Sequence, residues 1–466
     1  MIPRIWIGSV LALLLLVSPS EIWARPVLMI SIDGLRPDYV TQADRHGLRI
    51  PTLRALLTSG AYAEGVVSVV PSVTYPTHTT LVTGVWPAEH GIHANEVFDP
   101  SNPGADEWYW YASEIKTPTL WEAASKTGIV TASVSWPVTV DARWVKYAIP
   151  EFWRAKLPQN LKLLESISNP PGWLGAIESS LGLDEETVAH AFEAARDRTN
   201  SEFLAADEIR TKLATKIMAD EKPGFTTVHL GALDHIEHTT GPFSKESNAA
   251  IEQIDGMVDR LSAAALANDP NAFIAVVSDH GFVSVGNDVN LIAAFVNEGL
   301  IKLKTPTAPQ VASWDAAPWR AGGTAAVILR DPNDTAMLLR VKNFLERLKA
   351  DPSLGIARIV GQPDLTAIGG FPEASFLVEM MPGWDVGKNF SGPVLQPAPG
   401  TGQHGYLPDR PEMRASFFVK GPGIAAGRNL GLVDMRQVAP TIGMLLGVSL
   451  PTAKSEKLRV LRSYPR

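Results

Sequence analysis

The chain has 466 residues, of which 45% are hydrophobic and 19% charged, and it contains no cysteine. This composition is typical of a globular protein with a deep core, and it excludes disulfides and thiolate metal sites. The formal net charge of −8 excludes a basic surface around which nucleic acid could wrap. It does not exclude a small phosphorylated substrate, because bound metal ions reverse the local field.

The first 24 residues are typical of a cleavable signal peptide. Arg4 is followed by an apolar run from Ile7 to Val17, and the small residue Ala24 closes the segment. The run is shorter than the ~20 residues that span a bilayer, and no similar run follows it. We therefore expect a secreted or periplasmic protein with no stable membrane span, whose oligomeric state the sequence leaves open.

The segments that follow predict a parallel sheet. Val27 to Ile32, Phe225 to Leu230 and Phe273 to Val277 are continuous apolar runs, as in strands buried on both faces. Between the last two, apolar residues from Ile251 to Ala265 recur at helical spacing. Strand, helix and strand at these intervals predict an α/β fold, with a mostly parallel sheet flanked by helices.

Residues 301–369 have a different pattern. They contain a Gly322-Gly323 turn, a short predicted strand and an amphipathic helix around Leu338 to Leu348. We expect a small inserted cap subdomain over 301–369, and a catalytic domain formed by residues 25–300 and 370–455.

Aspartate and histidine recur just after the predicted strands and in one glycine-flanked turn. The residues are Asp33, Asp234, His238, Asp279, His280 and His404. Open α/β sheets bind ligands at the carboxyl ends of their strands. Carboxylates and imidazoles suit zinc, with manganese or iron as alternatives, and six could hold two ions about 4 Å apart. Taken singly, an aspartate after a strand is more often a helix cap or turn former, and a lone histidine is more often a hydrogen-bonded group. Their recurrence at the strand ends favours metal binding.

Thr74 begins a predicted helix. The local sequence favours a helix cap, since threonine is common at the N-cap and Pro76 is tolerated in a first turn. The same position would place the hydroxyl beside free backbone N–H groups and the positive end of the helix dipole. A nucleophilic hydroxyl activated by a metal ion is the second interpretation.

Several motifs follow one another in order between about residue 26 and 450. They are Ser31 to Tyr39, Pro71 to Gly84, Val85 to Asn95, Asp234 to Pro242, Ser278 to Gly281, Gly402 to Gly405 and Val433 to Ile442. Together they resemble the nucleotide pyrophosphatase/phosphodiesterase family of the alkaline phosphatase superfamily. The resemblance implies an alkaline-phosphatase-like core.

By position, the resemblance also implies two zinc sites and a threonine nucleophile. The ligands it assigns are Asp234, His238 and His404 for one ion, and Asp33, Thr74, Asp279 and His280 for the other. Thr74 would attack phosphorus and form a phospho-threonine intermediate. Asn95 and the backbone N–H after Thr74 would donate hydrogen bonds to a phosphate oxygen, as pre-aimed donors do in transition-state stabilisation.

Four further residues stand out beside these motifs. Glu237 stands where the family commonly has glycine, directly before the metal-binding histidine. His235 lies inside the same motif and is a competing ligand, but the four-residue spacing from Asp234 favours His238. Tyr109 and Trp110, in an aromatic cluster, either pack beneath a loop or form a platform for a nucleobase or lipid-like group.

The sequence therefore predicts a metal-dependent phosphoric ester hydrolase acting on a small phosphodiester or nucleotide. A phosphomonoesterase or a phospholipid head-group hydrolase with the same site stays an alternative. A monoesterase needs extra cationic groups, which the motifs do not clearly supply. A sulfatase is disfavoured because its nucleophile motif is absent, and a non-catalytic binding protein because Thr74 and every candidate ligand are present.

Overall fold

The structure of the chain is a computed structural model that describes residues 25–101, 107–153, 159–192, 199–305, 308–398 and 400–462. The predicted signal peptide, residues 1–24, lies outside the described residues. Within the described part of the chain, no helix combines the length and the apolar character that crossing a membrane requires.

A mixed, mostly parallel sheet of eight strands forms the centre. In spatial order its strands are Arg428–Asn429, Ala61–Tyr62, Phe417–Lys420, Phe273–Val277, Val27–Ile32, Phe225–Leu230, Thr131–Val134 and Tyr147–Ile149. Phe417–Lys420 is antiparallel to both neighbours, and every other adjacent pair in this sheet is parallel. The predicted α/β class is confirmed, and the three predicted strands have the bounds expected from their apolar runs.

Helices cover both faces of the central sheet, because alternate side chains of a strand point to opposite faces. Leu28 and Ile30 pack into one core, and Val27 and Met29 pack into the other. Helices packed in the first core are Pro37–Thr41, Ala43–His46, Pro51–Ser59, Gln159–Ile167, Trp173–Leu181, Glu185–Ala191, Asn200–Glu221, Ala232–Thr240 and Lys245–Asn268. Helices packed in the second are Thr74–Thr83, Leu120–Lys126 and Val438–Leu446.

A second, antiparallel sheet, called the small sheet below, has its own core. Its strands in spatial order are Ala316–Ala321, Thr324–Leu329, Phe376–Met380 and Ile356–Gly361, and the helix Thr335–Lys349 packs on it. The sheet extends past residue 369, where the predicted cap subdomain ends. The division of the chain into domains stays a prediction.

The remaining described elements lie outside these two sheets. The strands are Gly65–Val67, Val283–Val289, Ile301–Thr305, Ala308–Trp314, Gly383–Val386, Leu395–Pro397, Gly402–Gln403 and Leu432–Asp434. The α-helices are Pro87–His90, Leu291–Asn297 and Gln362–Ala367, and the 3₁₀ turns are Ala112–Glu114, Pro352–Leu354, Pro411–Met413 and Met435–Gln437.

Two features of this fold create one site. Ile32 pairs with Leu230, and Ser31 pairs with both His229 and Val277, so three central strands end together at one edge of the sheet. The Gly322-Gly323 turn of the small sheet packs against the backbone of His404. Gly322 has φ +64°, and a Cβ there would lie 2.2 Å from the His404 carbonyl oxygen, so glycine is required for this contact.

Candidate active site

The strand ends and the turn around His404 bring the six predicted aspartates and histidines into two groups of three. The first group is Asp33, Asp279 and His280, and the second is Asp234, His238 and His404. In each group, one potential ligand atom from each residue lies within 4.8 Å of the others. Five of the six side chains are buried, and His238 is half-buried.

Buried polar atoms in both groups make no hydrogen bond to any described residue. They include Asp33 Oδ1, Asp279 Oδ2 and Asp234 Oδ1. His280 Nε2 lies 3.0 Å from Asp279 Oδ2 and 3.4 Å from Asp33 Oδ1. Asp234 Oδ1 lies 3.5 Å from His238 Nε2 and 3.6 Å from His404 Nε2. Buried polar atoms are normally paired, so atoms that converge in this way fit divalent cations.

The three histidines of the two groups are turned the same way. Nδ1 of His238 donates to the carbonyl oxygen of Gly402 at 3.2 Å, and Nδ1 of His280 donates to that of Gly281 at 3.3 Å. Nδ1 of His404 donates to the carbonyl oxygen of Ser72 at 3.3 Å. A backbone acceptor at Nδ1 leaves Nε2 as the atom that faces the carboxylates. This arrangement is common around metal-binding histidines.

The electrostatics of the first group also fit a cation. Burial, and then the carboxylates of Asp279 and Asp234, raise the pKa of Asp33 well above its usual value. Burial alone would also raise the pKa of Asp279, but His280 and then His78 hold it below its usual value. Burial lowers the pKa of His280, but the Asp279 carboxylate raises it by more, so that the pKa is raised from 6.5 to about 9. A divalent cation would neutralise this concentration of carboxylates.

Thr74 is the first residue of the helix Thr74–Thr83, and it does not cap it. Val73 occupies the N-cap position, and no side chain there accepts a hydrogen bond from the helix. The helix-cap interpretation of Thr74 is therefore wrong. Burial lowers the pKa of His78 to about 4, so this histidine is neutral. Its ring bridges the carbonyl oxygen of Thr74 and the hydroxyl of Ser31, each at 2.8 Å, and this fixes the first helical turn.

Asn95 lies beside the start of the same helix. Its Oδ1 accepts a hydrogen bond from the backbone N–H of Tyr75 at 2.8 Å, which leaves the Asn95 amide hydrogens for another acceptor. The backbone N–H after Thr74, expected to bind phosphate, is thus already paired with Asn95.

Two adjoining cavities open at the site. Both are lined by Asn95, Glu96, Trp108, His238, Lys388 and His404. The larger cavity, of about 390 Å³, also reaches Thr74 and has Trp153 and Phe203 on its walls. The smaller cavity, of about 310 Å³, reaches Arg320 and Gln403. The volumes are in the range of small-molecule sites.

Comparison with known proteins assigns the family. The model of the family "Type I phosphodiesterase / nucleotide pyrophosphatase" matches residues 27–354, well over half of the chain. The chain belongs to this family. The family expected from the sequence motifs is thereby confirmed.

Curated relatives carry the same family name. Human ectonucleotide pyrophosphatase/phosphodiesterase family member 1 is 25% identical over 281 residues, which cover 56% of this chain and 24% of the relative. Human family member 5 is 29% identical over 167 residues, which cover 30% of this chain and 33% of the relative. The matches thus span about a quarter to a third of the length of these relatives.

Solved structures show the same fold over nearly the whole chain. Human ectonucleotide pyrophosphatase/phosphodiesterase 5 has a TM-score of 0.62 and 18% identity, and covers 94% of this chain and 100% of its own. The inactive threonine-to-alanine variant of the murine protein, in complex with AMP, has a TM-score of 0.59 and 18% identity. That match covers 93% of this chain and 97% of the murine one. The likeness shows an alkaline-phosphatase-like fold.

In the present chain, two residues singled out in the sequence analysis, Glu237 and His235, lie beside the two groups of candidate ligands. Glu237, where the resemblance led us to expect glycine, is buried, and its Oε1 accepts a hydrogen bond from the Tyr39 hydroxyl at 2.6 Å. His235 stacks on Phe203 at 4.3 Å between ring centroids, and its Nδ1 is 3.9 Å from Asp234 Oδ2. It belongs to neither group of three.

The aromatic wall of the larger cavity comes from neighbours of the predicted residues. Trp110 is 1% exposed and packs on Phe152 at 4.9 Å, and neither Tyr109 nor Trp110 is among the residues that line these two cavities. Trp108 lines both cavities and packs edge-on against Trp153 at 4.5 Å. Trp108 directly precedes Tyr109 and Trp110 in the sequence, whereas no local pattern singles out Trp153.

Proposed function

We propose that the chain is a two-zinc phosphodiesterase or nucleotide pyrophosphatase that acts through Thr74. The observation that carries this proposal is the pair of buried three-residue groups, whose unpaired oxygen and nitrogen atoms converge beside Thr74. Family membership supports the reaction class. The murine neighbour supports a nucleotide substrate and a required threonine, because its inactive threonine-to-alanine variant was solved with AMP.

The residues that would hold the two ions are those of the two groups, with Thr74 as an additional ligand in the first. Bound zinc would supply Lewis acidity, which favours the alkoxide form of a hydroxyl and offsets charge on phosphate oxygens. Thr74 Oγ forms a bond to phosphorus while the bond from phosphorus to the leaving oxygen breaks. Water then cleaves the phospho-threonine ester and restores the Thr74 hydroxyl.

Two further residues position the nucleophile and stabilise the charge on the phosphate. His78 holds the carbonyl of Thr74 against Ser31, so the nucleophile sits at a fixed helix start. Asn95, oriented by the N–H of Tyr75, donates from its amide nitrogen to a non-bridging phosphate oxygen. Such a donor commonly contributes roughly 3–4 kcal/mol to transition-state stabilisation.

The two cavities favour a diester or anhydride over a monoester. A phosphodiester or phosphoanhydride carries a substituent on each side of the reacting phosphorus, and a cavity is available for each. We propose zinc rather than manganese or iron because aspartate and histidine, in groups of three, are the usual zinc ligands. We also propose a secreted or periplasmic location, which the signal-peptide pattern and the relatives' names as ectoenzymes support.

A substrate comparison tests the reaction class. Zinc-loaded protein is assayed with para-nitrophenyl phosphate, bis-para-nitrophenyl phosphate and the para-nitrophenyl ester of a nucleoside 5′-monophosphate. We expect the nucleotide ester to be hydrolysed fastest. Faster hydrolysis of para-nitrophenyl phosphate would replace the diesterase proposal with a phosphomonoesterase.

Thr74→Ala tests the nucleophile. The variant is expected to lose turnover while binding two zinc ions per chain, measured by elemental analysis. Thr83→Ala is the matched control: it lies in the same helix, and its hydroxyl donates to the carbonyl oxygen of Thr79 at 2.7 Å. Retained activity in Thr74→Ala would refute the nucleophile, and fewer than two ions at saturation would refute the two-metal site.

A further inference from the structure

Asn95 lies in no helix or strand, so contacts with other parts of the chain must fix the direction of its amide. Its Oδ1 accepts from the backbone N–H of Tyr75, and its carbonyl oxygen accepts from the backbone N–H of Tyr109 at 3.1 Å. Further contacts reach the residues on either side of Asn95, and they come from the small sheet.

Trp319, in the small-sheet strand Ala316–Ala321, contacts the residue directly after Asn95. Its indole Nε1 donates a hydrogen bond to the carbonyl oxygen of Glu96 at 3.0 Å. The residue is 6% exposed, and its ring centroid lies 5.3 Å from that of Phe98. A buried indole N–H usually finds a hydrogen-bond partner, and here the partner is the backbone beside the expected phosphate donor.

Glu373, in the turn that leads into a small-sheet strand, contacts the residue two places before Asn95. Its Oε1 lies 2.9 Å from Nδ1 of His93, whose side chain is 6% exposed. Ala94, between His93 and Asn95, packs in one apolar cluster with Trp319. The small sheet therefore holds the chain both before and after Asn95.

The hairpin that carries Trp319 also contacts the turn around His404. Gly323, in the hairpin turn, donates its backbone N–H to the carbonyl oxygen of His404 at 2.8 Å. The hydroxyl of Thr324 donates to the carbonyl oxygen of Gly405, also at 2.8 Å. One hairpin thus contacts the Asn95 segment and the backbone of a candidate metal ligand, so it relates the positions of the two.

Trp319 and Glu373 have no place on the cavity walls themselves. Asn95 and Glu96 line both cavities, whereas neither Trp319 nor Glu373 is among the lining residues of either. An effect of these two side chains on the reaction would therefore pass through the segment that they hold.

We propose that Trp319 and Glu373 are positioning residues, which hold the Asn95 amide at the phosphate from the small sheet. The inference rests on the proposed function and adds a role for the small sheet in catalysis. Groups that act on a transition state must be held within about 0.5 Å of their productive geometry. A small shift of the Asn95 segment would therefore slow the reaction without any loss of a group that touches substrate.

Two substitutions loosen the segment. Trp319→Phe removes the N–H and keeps an aromatic ring in the cluster. With the para-nitrophenyl ester of a nucleoside 5′-monophosphate, we expect kcat to fall about tenfold and KM to change by less than about twofold. Glu373→Gln removes the charge opposite His93 and should lower kcat about threefold, in keeping with a partly exposed pair. Because the Glu373 side chain is 48% exposed, this variant keeps the proposal testable if Trp319→Phe does not fold.

The deciding measurement repeats both substitutions in an Asn95→Ala background. If Trp319 and Glu373 act through Asn95, each substitution should change the remaining kcat by less than about twofold there. A merely structural role would lower kcat by the same factor with and without the Asn95 amide. Zinc affinity, measured with a chromophoric chelator, should equal that of the wild type in both variants. A loss of zinc affinity would place the effect on His404 and overturn the inference.

Trp384→Phe is the matched control. Nε1 of Trp384 donates to the carbonyl oxygen of Ser353 at 3.0 Å, and Trp384 is not among the residues that line the two cavities. The substitution removes the same kind of hydrogen bond at the same length, and it should leave kcat and KM unchanged. Melting temperatures near that of the wild type would show that the variants fold.

The outcomes separate this inference from the proposed function. If the wild-type protein hydrolyses the ester, and the two small-sheet variants lower kcat equally in both backgrounds or in neither, the inference is overturned. An Asn95→Ala variant as active as the wild type would also overturn it, since there would be no donor to position. If the zinc-loaded wild type does not hydrolyse the ester, the proposed function fails and this inference fails with it.

Discussion

Nε2 of His229 lies 2.9 Å from Oδ2 of Asp33, and the opposite ring nitrogen lies 3.0 Å from Oε2 of Glu151. One buried imidazole therefore joins a candidate metal ligand to a second carboxylate. Burial lowers the pKa of His229, but its hydrogen bonds to Asp33 and Glu151 raise it well above the usual value. Because His229 occupies Oδ2, the other oxygen of Asp33 is the one that faces Asp279 and His280.

His229→Ala is expected to weaken zinc binding about 10–100-fold, which is the usual effect of removing an outer hydrogen-bond partner from a metal ligand. The loss has a direct reason: Asp33 would be free to rotate away from the first ligand group. Competition with a chromophoric zinc chelator measures the affinity without any assay of activity.

A surface histidine provides the control for that experiment. His190→Ala changes an exposed residue of the helix Glu185–Ala191 and should leave zinc affinity unchanged. Equal zinc affinity in His229→Ala and the wild type would mean that His229 does not orient Asp33.

Asn95→Ala is expected to lower kcat about 10²–10³-fold with a smaller change in KM, as for other donors that act mainly in the transition state. Asn95→Asp separates this role from support of the helix. Aspartate can still accept the hydrogen bond from the N–H of Tyr75, but it offers phosphate an oxygen in place of an N–H. Stopped-flow hydrolysis of a nucleotide ester should therefore show both variants impaired, and an active Asn95→Asp would assign Asn95 a supporting role only.

How much the sequence could predict depends on whether a signal is local. Asp33 and Asp279 follow continuous apolar runs, so the edge of the sheet where they meet could be inferred before their contacts were known. Arg320 could not be found in this way. It enters the site through the contact of the Gly322-Gly323 turn with His404, and nothing in the sequence around Arg320 encodes that contact.

The start of the helix at Thr74 shows the same limit at short range. Threonine before a proline-containing turn favours a cap on statistics alone, yet Val73 takes that place. Thr74 is fixed by tertiary contacts, with His78 bridging its carbonyl to Ser31 in the central sheet. Local preference is weak beside such contacts.

Glu178 provides a test of stability that is independent of catalysis. Burial, and then the carboxylates of Glu165 and Glu185, raise the pKa of Glu178 from 4.5 to about 7. The pKa of Glu178 is higher in the folded than in the unfolded state. The contribution of protonated Glu178 to the free energy of unfolding is therefore complete below about pH 4.5 and is lost as the pH rises through 7. Glu178→Gln should therefore be more stable than the wild type at pH 8.5.

For Glu178→Gln we expect the free energy of unfolding to rise by about 1 kcal/mol at pH 8.5. This is less than the full pKa shift of Glu178 would give, because solvent screens part of the repulsion between the carboxylates. Urea unfolding at pH 8.5 and pH 4.5 measures it, with the gain expected at the higher pH alone. Glu186→Gln, at an exposed position, should leave the free energy of unfolding unchanged at both pH values. A gain of equal size at both pH values would show that the ionisation of Glu178 is not its cause.

Tyr39 forms a hydrogen bond with the buried carboxylate of Glu237, the residue directly before His238. Its hydroxyl donates to Glu237 Oε1 at 2.6 Å and accepts from the backbone N–H of Phe243 at 2.7 Å, and its ring stacks on Phe243 at 4.2 Å. Tyr39→Phe keeps the stacking but leaves a buried carboxylate oxygen and a backbone N–H without this partner. We expect a loss of about 1–3 kcal/mol in the free energy of unfolding, the usual penalty for unpaired buried groups.

Urea denaturation of a double-mutant cycle with Glu237→Gln isolates the pair. Because Tyr39 and Glu237 are in contact, the effects of the two substitutions should not add, with a coupling energy of about 0.5–3 kcal/mol. Tyr62→Phe is the control, since no hydrogen bond of its hydroxyl occurs among the described residues. Strict additivity would show that the buried Glu237 carboxylate is not stabilised by Tyr39, and another partner would have to offset its burial.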